Sequence, residues 1–212
     1  MEWKDIDLKT FVEVYKITTN VFLPEDDKTL RIAALLNGMT FEEFTELPIP
    51  KATELVAQTN FLYDRPKPEK IRREYLLNGT KYCPFRDFSE MTLAQYVDYQ
   101  AVITEKFEEH LIDLMYILLI PKGHNYNDGY DRERAMEDIG SLSVTEALGL
   151  ADFFLKKYRR LLRRTLLYSK ANLWLAMRKA TAEEKETMKV MDNQLDELLS
   201  MCGSASLRLW SE

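Results

Sequence analysis

The stretch IRREYLLNGTKYCPF, residues 71–85, decides the fold class because it carries the strongest strand signal in the chain. Asn78-Gly79 supplies two residues that accept positive φ, and the arms on either side are rich in aromatic and apolar residues. This pattern predicts a β-hairpin closed by a tight turn. A lone hairpin is marginally stable in water. We therefore expect it to pack on helices or to pair with a strand of another copy of the chain.

The sequence on both sides of this hairpin predicts helices. Four pairs of Ser or Thr followed three residues later by Glu or Gln match the capping box, which satisfies backbone donors at a helix start. These pairs are Thr40/Glu43, Thr92/Gln95, Ser143/Glu146 and Thr181/Glu184. Apolar spacing and breaker residues then predict helices over about 7–19, 26–37, 40–46, 51–63, 92–120, 131–139, 144–179 and 182–201.

The predicted fold is mainly α: a multi-helix bundle with one β-hairpin, at about 71–85, inserted between an N-terminal helical region and a long-helix C-terminal region. We divide the chain into an N-terminal helical region (1–64), a connector with the hairpin (65–90), a helical bundle (91–202) and a tail (203–212), which together form one cooperative domain. Along the long helix the predicted buried positions are Leu148, Leu150, Ala151, Phe154, Leu155, Tyr158, Leu161, Leu162, Leu166, Leu173 and Leu175.

Composition narrows the class of function. The chain has 212 residues, 46% hydrophobic and 30% charged, with a net charge of −6. This charge argues against a general nucleic-acid binder, whose affinity comes mostly from neutralising phosphates. The longest apolar run, LIDLMYILLI at 111–120, is about half the length that a membrane span needs. The charged N-terminus does not match a signal peptide. We therefore expect no membrane association.

The polar loop PKGHNYNDGYDRER, residues 121–134, invites three interpretations. With Gly129 at the sixth position of a calcium-binding EF-hand loop, three of the required ligand positions hold unsuitable residues. His124 has no Cys or His close by that would complete a zinc site. Gly123 and Asp128-Gly129 are typical of turns, so we favour a connection between helices. The alternative is a recognition surface that presents Tyr126 and Tyr130 to a partner.

The segment KKYRRLLRR, residues 156–164, gives one helix a cationic surface. Arg159 and Arg163 lie four residues apart, as do Arg160 and Arg164. One interpretation is a surface for nucleic acid or a membrane. The interpretation that we favour is a solvated face that pairs with acidic groups elsewhere in the protein, or an ion-pair surface between subunits.

Catalytic motifs are missing from the sequence. It contains no GxGxxG, GxxxxGK[ST], GxSxG or HExxH pattern. Cys83 and Cys202 lie far apart and form no CxxC pair, so we predict no disulfide framework and no metal site. We expect no cofactor, no catalytic residue and no enzymatic activity. An enzyme remains the alternative if His110, His124, Asp128 or Asp131 converge in a cleft; otherwise we expect His110 to lie on a helix surface.

The C-terminal tail carries three apolar residues, Leu207, Leu209 and Trp210. Because they follow Gly203 on a short segment, they cannot easily reach the core of their own domain. We expect them to dock on a partner or on a neighbouring copy.

Three segments carry a resemblance to known proteins: LLNGMTFEEFTELPI, EYLLNGTKYCPFRDFSEMTLAQYVDYQ, and IPKGHNYNDGYD with the long helix after it. In their order, over residues 30–170, the chain resembles proteins from the virion-structure and assembly modules of tailed bacteriophages. The resemblance implies a helical tail or connector component or an assembly chaperone, and it implies no catalytic residue. Its partners would be other phage structural proteins or further copies of itself, in the host cytoplasm during assembly or in the virion. A nucleic-acid-associated protein using helix 156–164 is the alternative.

Overall fold

The computed structural model of the protein describes residues 1–85, 87–104, 110–178 and 180–204. Within these ranges the chain forms nine α-helices and one three-stranded antiparallel sheet, which confirms the predicted mainly α fold with a small β-hairpin. The helices are α1 Leu8–Thr19, α2 Glu25–Leu36, α3 Phe41–Thr45, α4 Ile49–Ala57, α5 Leu93–Thr104, α6 Leu111–Leu118, α7 Arg132–Gly140, α8 Val144–Met177 and α9 Ala182–Ser204. The strands are β1 Tyr75–Leu77, β2 Thr80–Pro84 and β3 Leu119–Pro121.

The β-hairpin forms at the predicted turn. Asn78 and Gly79 adopt φ values of 45° and 84°, as a two-residue turn between antiparallel strands requires. Strand β1 pairs with β2 so that Tyr75 faces Tyr82.

The third strand comes from the same chain. Strand β2 also pairs with β3, with Cys83 opposite Ile120. The hairpin is therefore completed within one copy of the protein. The predicted helix over 92–120 is wrong at its end, because residues 119–121 form this strand. It is also wrong at His110, whose φ of −109° and ψ of 20° place it in a turn that precedes α6.

The predicted capping boxes form to different extents. At α3 the Thr40 hydroxyl accepts from the backbone N–H of Glu43, and the Glu43 carboxylate accepts from the backbone N–H of Thr40 at 2.8 Å. The box at α9 repeats this geometry with Thr181. Before α5, Thr92 caps the helix, but the Gln95 amide donates to the carbonyl of Ile117 at 2.7 Å. Gln95 thus links two helices and leaves its box half formed.

The chain divides into two compact units, Met1–Ala151 and Asp152–Glu212. The first unit contains the sheet, helices α1–α7 and residues 144–151 of α8. Its largest fully buried side chains include Leu8, Tyr82, Tyr99, Leu111, Leu114, Met115, Leu118, Leu119, Ile139 and Leu142. A second cluster in this unit joins Ala33, Ala34, Phe44 and Leu55.

The second unit is a helical hairpin, here defined as residues 152–204. Helix α9 begins five residues after the last residue of α8. The ammonium of Lys170 on α8 reaches the carboxylates of Asp192 and Asp196 on α9 at 3.4 and 2.5 Å. The two helices therefore run antiparallel, side by side.

Candidate functional site

The polar loop at 121–131 folds back on the first unit. The Tyr126 hydroxyl donates to the Asp98 carboxylate at 2.7 Å. The rings of Tyr126 and Tyr130 lie 6.0 and 5.9 Å from the ring of the buried Tyr116. Both predicted recognition residues are thus half-buried against their own chain. They contribute to packing, with one edge left toward solvent.

Tyrosine hydroxyls near this loop are held in the protonated form. Burial, together with a hydrogen bond to Asp98, raises the pKa of Tyr126 above its ordinary value. Burial and the hydrogen bond to Asp138 do the same for the pKa of Tyr82, and burial raises the pKa of Tyr130. Tyr82 and Tyr126 act as hydrogen-bond donors to these carboxylates.

The residues that an enzymatic site would have used are engaged in turns and caps. Asp131 accepts from the backbone N–H of Arg134 at 3.1 Å and caps α7. Asp128 accepts from the backbone N–H of Asn125 at 2.6 Å. His124 lies on the exposed loop with its ring against Tyr130, and the Nδ1 of His110 lies 3.4 Å from Asp113. Across the described residues, no three His, Cys, Asp or Glu side chains are grouped as a metal ion would require.

A cavity of about 310 Å³ lies between α1, α2 and the start of α3. The guanidinium of Arg31 stands 4.1 Å over the ring centroid of Phe41. Its Nε is buried and has no hydrogen-bond partner among the described residues. Phe22, on the loop before α2, is 91% exposed. No local sequence pattern indicates this cavity, because its lining residues meet only in the folded chain.

The helical hairpin is held by a seam of half-buried side chains. They recur at intervals of three or four residues, which is the spacing of helices in a coiled coil. On α8 they are Leu162, Leu166, Lys170, Leu173 and Met177, and on α9 they are Met188, Asp192, Leu195 and Leu199. Of the described side chains between 155 and 200, none is fully buried. Two helices alone cannot enclose a core.

A second set of apolar residues on this hairpin faces solvent. Tyr168 is 71% exposed and Trp174 is 54% exposed, and the guanidinium of Arg178 stacks 3.8 Å over the Trp174 ring. The prediction that Leu161 and Leu175 are buried is wrong, since both are exposed. The exposed apolar residues of the hairpin are Leu161, Leu167, Tyr168, Trp174, Leu175, Val190, Met191 and Leu198. These residues do lie at apolar positions with helical spacing. In the described part of this unit, however, no third helix covers them.

The basic segment lies at the beginning of the hairpin. Arg159 is half-buried and Arg163 is exposed. In the described ranges, neither of them, nor Arg160 or Arg164, forms an ion pair with an acidic side chain. Lys156 differs, because it pairs with Asp152 at 2.5 Å. Among the described residues, pairing with an acid of the same chain is thus shown for Lys156 and not for the four arginines of this segment.

The predicted tail residues Leu207, Leu209 and Trp210 lie outside the described residues.

Comparisons with protein families, with curated proteins and with solved structures found no match to this chain. Among the described helices, none combines the length and the apolar character that crossing a bilayer requires.

Proposed function

We propose that this protein is a non-enzymatic structural or assembly protein of a tailed bacteriophage, a tail or connector component or an assembly chaperone, that acts through protein–protein contacts. It would act in the host cytoplasm during assembly, and in the virion if it remains in the particle.

The observation that supports this proposal most is the uncovered apolar surface of the helical hairpin. Monomeric proteins rarely expose a contiguous apolar patch unless it binds a partner. Tyr168 and Trp174 also belong to the residue types that are enriched at the centres of interfaces. From Leu161 to Leu175, α8 carries apolar residues both in the seam and on faces away from it, and apolar residues on more than one face of a helix are expected to be covered by other helices.

The proposal is tested with a variant that removes this surface. Leu161→Gln, Tyr168→Gln and Leu175→Gln are combined in the full chain. The matched control carries three equivalent changes at exposed residues of the first unit: Ile49→Gln, Tyr63→Gln and Leu76→Gln. Each purified chain is measured by light scattering and by binding to purified products of the genes that flank its own.

We expect the wild type and the control to bind one of these products or to self-associate. The hairpin variant should lose at least tenfold in affinity while its circular dichroism spectrum remains helical. A wild-type chain that stays monomeric and binds none of the flanking gene products would overturn the proposal.

A second candidate function is association with nucleic acid through the basic segment. The observation in its favour is that residues 153–182 contain no Asp or Glu, while Arg159 and Arg163 have no acidic partner in the described chain. Anisotropy of labelled DNA and RNA at rising salt tests it. Phosphate-driven binding should weaken steeply with salt and with Arg159→Glu/Arg163→Glu, and salt-independent or absent binding would exclude it.

A further inference from the structure

Charge is segregated between the two helices of the hairpin. Helix α8 carries only basic charges from residue 153 onward: Lys156, Lys157, Arg159, Arg160, Arg163, Arg164 and Lys170. Helix α9 is mostly acidic over residues 183–197, with Glu183, Glu184, Glu186, Asp192, Asp196 and Glu197 against Lys185 and Lys189. Within one copy the described ion pairs between the helices involve Lys170 alone.

Further charges of opposite sign lie on the two outer faces of the hairpin. Successive residues of an α-helix are turned by about 100°, so the residues opposite the seam can be identified from their numbers. On α8 this outer face holds Arg164, Tyr168, Ala171 and Leu175, with Arg178 directly after the end of the helix, and on α9 it holds Glu183, Glu186, Val190 and Glu197. All nine are exposed. The outer face of α8 is basic and apolar, and the outer face of α9 is acidic with an apolar centre.

The two outer faces also match in height along the hairpin. Lys170 lies level with residues 192–196, as its ion pairs require. Both helices rise about 1.5 Å per residue, so Arg178 lies level with Glu186, and Leu175 lies level with Val190. Arg164 lies within about one turn of the level of Glu197, which is within reach of an arginine side chain.

We propose that copies of this chain associate head to tail, with the outer face of α8 of one copy packed on the outer face of α9 of the next. In this arrangement neighbouring hairpins point in the same direction. Arg164 and Arg178 of one copy meet Glu197 and Glu186 of the next, and Leu175 meets Val190 between these pairs. Because the two contacting surfaces differ, the contact repeats and builds a ring or a filament. This inference rests on the proposed function and identifies the binding partner as a second copy of the chain.

Charge reversal on one face at a time provides the test. Variant A carries Arg164→Glu and Arg178→Glu, and variant B carries Glu186→Arg and Glu197→Arg, both in the full chain. We expect the wild type to form species larger than a dimer in sedimentation velocity at micromolar concentration. Each variant alone should be mostly monomeric, since like charges would face each other across the contact.

Mixing the two variants should restore association, because each face then meets the opposite charge. The chain that carries all four substitutions should also associate by itself. As a control matched in charge to variant A, Lys67→Glu/Lys70→Glu changes exposed residues of the first unit and should associate like the wild type. Failure of the mixture to associate would overturn the inference, as would a wild type that stops at a dimer.

A covalent test does not depend on the strength of the ion pairs. Leu175→Cys and Val190→Cys are combined in a chain whose Cys83 and Cys202 are replaced by serine. These two positions face away from each other across the hairpin, too far apart for a disulfide within one copy. Oxidation should therefore give a ladder of disulfide-linked copies on a non-reducing gel, and each single cysteine should give at most a dimer. A monomer band alone would contradict the inference.

The outcomes separate this inference from the proposed function. A wild type that is monomeric but binds a flanking gene product through the hairpin would overturn head-to-tail association and leave the proposed function standing. A wild type that associates, but equally in variants A and B, would also overturn the contact proposed here.

Discussion

A Cβ atom on Gly149 would clash with the backbone carbonyl oxygen of Glu69. This close approach exists because the segment before β1 is fixed on the start of α8. The Glu69 backbone N–H donates to the carbonyl of Thr145, and the Thr145 hydroxyl donates to the Glu69 carboxylate at 3.0 Å. Glycine is therefore required at position 149, because a side chain there would meet the backbone at Glu69. Backbone moves aside less readily than a side chain does.

We expect Gly149→Ala to destabilise the first unit. Alanine has a better helix propensity by about 1 kcal/mol, but the clash with Glu69 should outweigh it, with a net loss of about 1–3 kcal/mol, as is usual for an overpacked site. Urea unfolding followed by circular dichroism measures the change. Gly140→Ala is the control, since its Cβ would meet only Lys9 at an ordinary 3.6 Å. Equal stability of the two variants would contradict the prediction.

The buried hydrogen bond between Tyr82 and Asp138 gives a second prediction. The Tyr82 hydroxyl donates to the Asp138 carboxylate at 2.9 Å, and both residues are buried. Tyr82→Phe should cost about 1–3 kcal/mol, because it leaves a buried acceptor without its donor. Asp138→Asn keeps an acceptor for the hydroxyl and should cost less. Chemical unfolding of the two variants and of the wild type measures these losses of stability. An unfolding midpoint of Tyr82→Phe equal to that of the wild type would refute the prediction.

Stability should also fall in alkaline solution. Burial raises the pKa values of Tyr82, Tyr126 and Tyr130 above the value of about 10 for unfolded tyrosine. The folded state then holds more protons than the unfolded state above that pH, so their contribution is complete below about pH 10 and is lost as the pH rises toward the folded values. Unfolding free energies at pH 8 and 10.5 measure the loss.

A variant with phenylalanine at all three positions should show a smaller loss between these pH values. Tyr63→Phe, at a residue that is 85% exposed, should retain the full loss. Absorbance at 295 nm provides an independent reading, because the three buried tyrosines should ionise only when the chain unfolds. Ionisation of every tyrosine at the ordinary pH in the folded protein would contradict this account.

The sequence predicted the features that are local in the chain and missed those that depend on distant contacts. The Asn78-Gly79 turn and the Thr40 and Thr181 caps follow from a few neighbouring residues, and all three form. Strand β3 was missed because a short apolar run fits a buried helix as well as a strand. What decides between them is the pairing of Ile120 with Cys83, which no local pattern contains.

The same distinction applies to the candidate sites. Helical spacing identifies Leu161 and Leu175 as apolar positions on one helix, but it cannot tell whether anything covers them. The sequence favours Tyr126 as a residue that contacts a partner. In the structure, however, its hydroxyl donates to Asp98, which is distant in the chain. Exposure is a property of the folded chain, so the uncovered surface of the hairpin was visible only in the structure.

The cap of α9 should control how often that helix opens. Thr181→Ala removes the hydroxyl that accepts from the backbone N–H of Glu184, at a cost of about 1 kcal/mol. Because the hairpin has no fully buried side chain between 155 and 200 in its described part, little packing opposes this loss. A loss of about 1 kcal/mol corresponds to opening that is about fivefold more frequent, so hydrogen exchange of the first amides of α9 should become about fivefold faster. Thr181→Ser, which keeps the hydroxyl, should exchange like the wild type.

This cap should also weaken in acid. The hydrogen bond from the Thr181 backbone N–H lowers the pKa of Glu184. A carboxylate whose pKa is lower in the folded state stabilises the fold above its unfolded pKa, and this contribution is lost as the pH falls through the folded value. Exchange in α9 relative to the intrinsic rate should therefore accelerate below about pH 4. Glu184→Gln should remove this dependence, and its persistence would show that another group is responsible.

Arg31 offers a prediction in the opposite direction, toward higher stability. Its guanidinium stacks on Phe41, which is worth about 0.5–1 kcal/mol. Its Nε, however, is buried and has no hydrogen-bond partner among the described residues, and an unsatisfied buried donor costs about 1–3 kcal/mol. The second term is larger, so Arg31→Met, which retains an unbranched apolar side chain in the same cavity, should raise the unfolding midpoint or leave it unchanged.

Arg31→Lys is the control for this prediction, because it keeps the charge over Phe41 while removing the buried Nε. If Nε is the destabilising group, both variants should be at least as stable as the wild type in urea. A loss of more than about 1 kcal/mol in Arg31→Met with no loss in Arg31→Lys would show that stacking of the charge on the ring outweighs the buried donor. In the expected case, a cation that does not stabilise the fold lines this cavity. The cavity is then, like the exposed apolar surface of the helical hairpin, a surface whose residue composition is not explained by the stability of the fold.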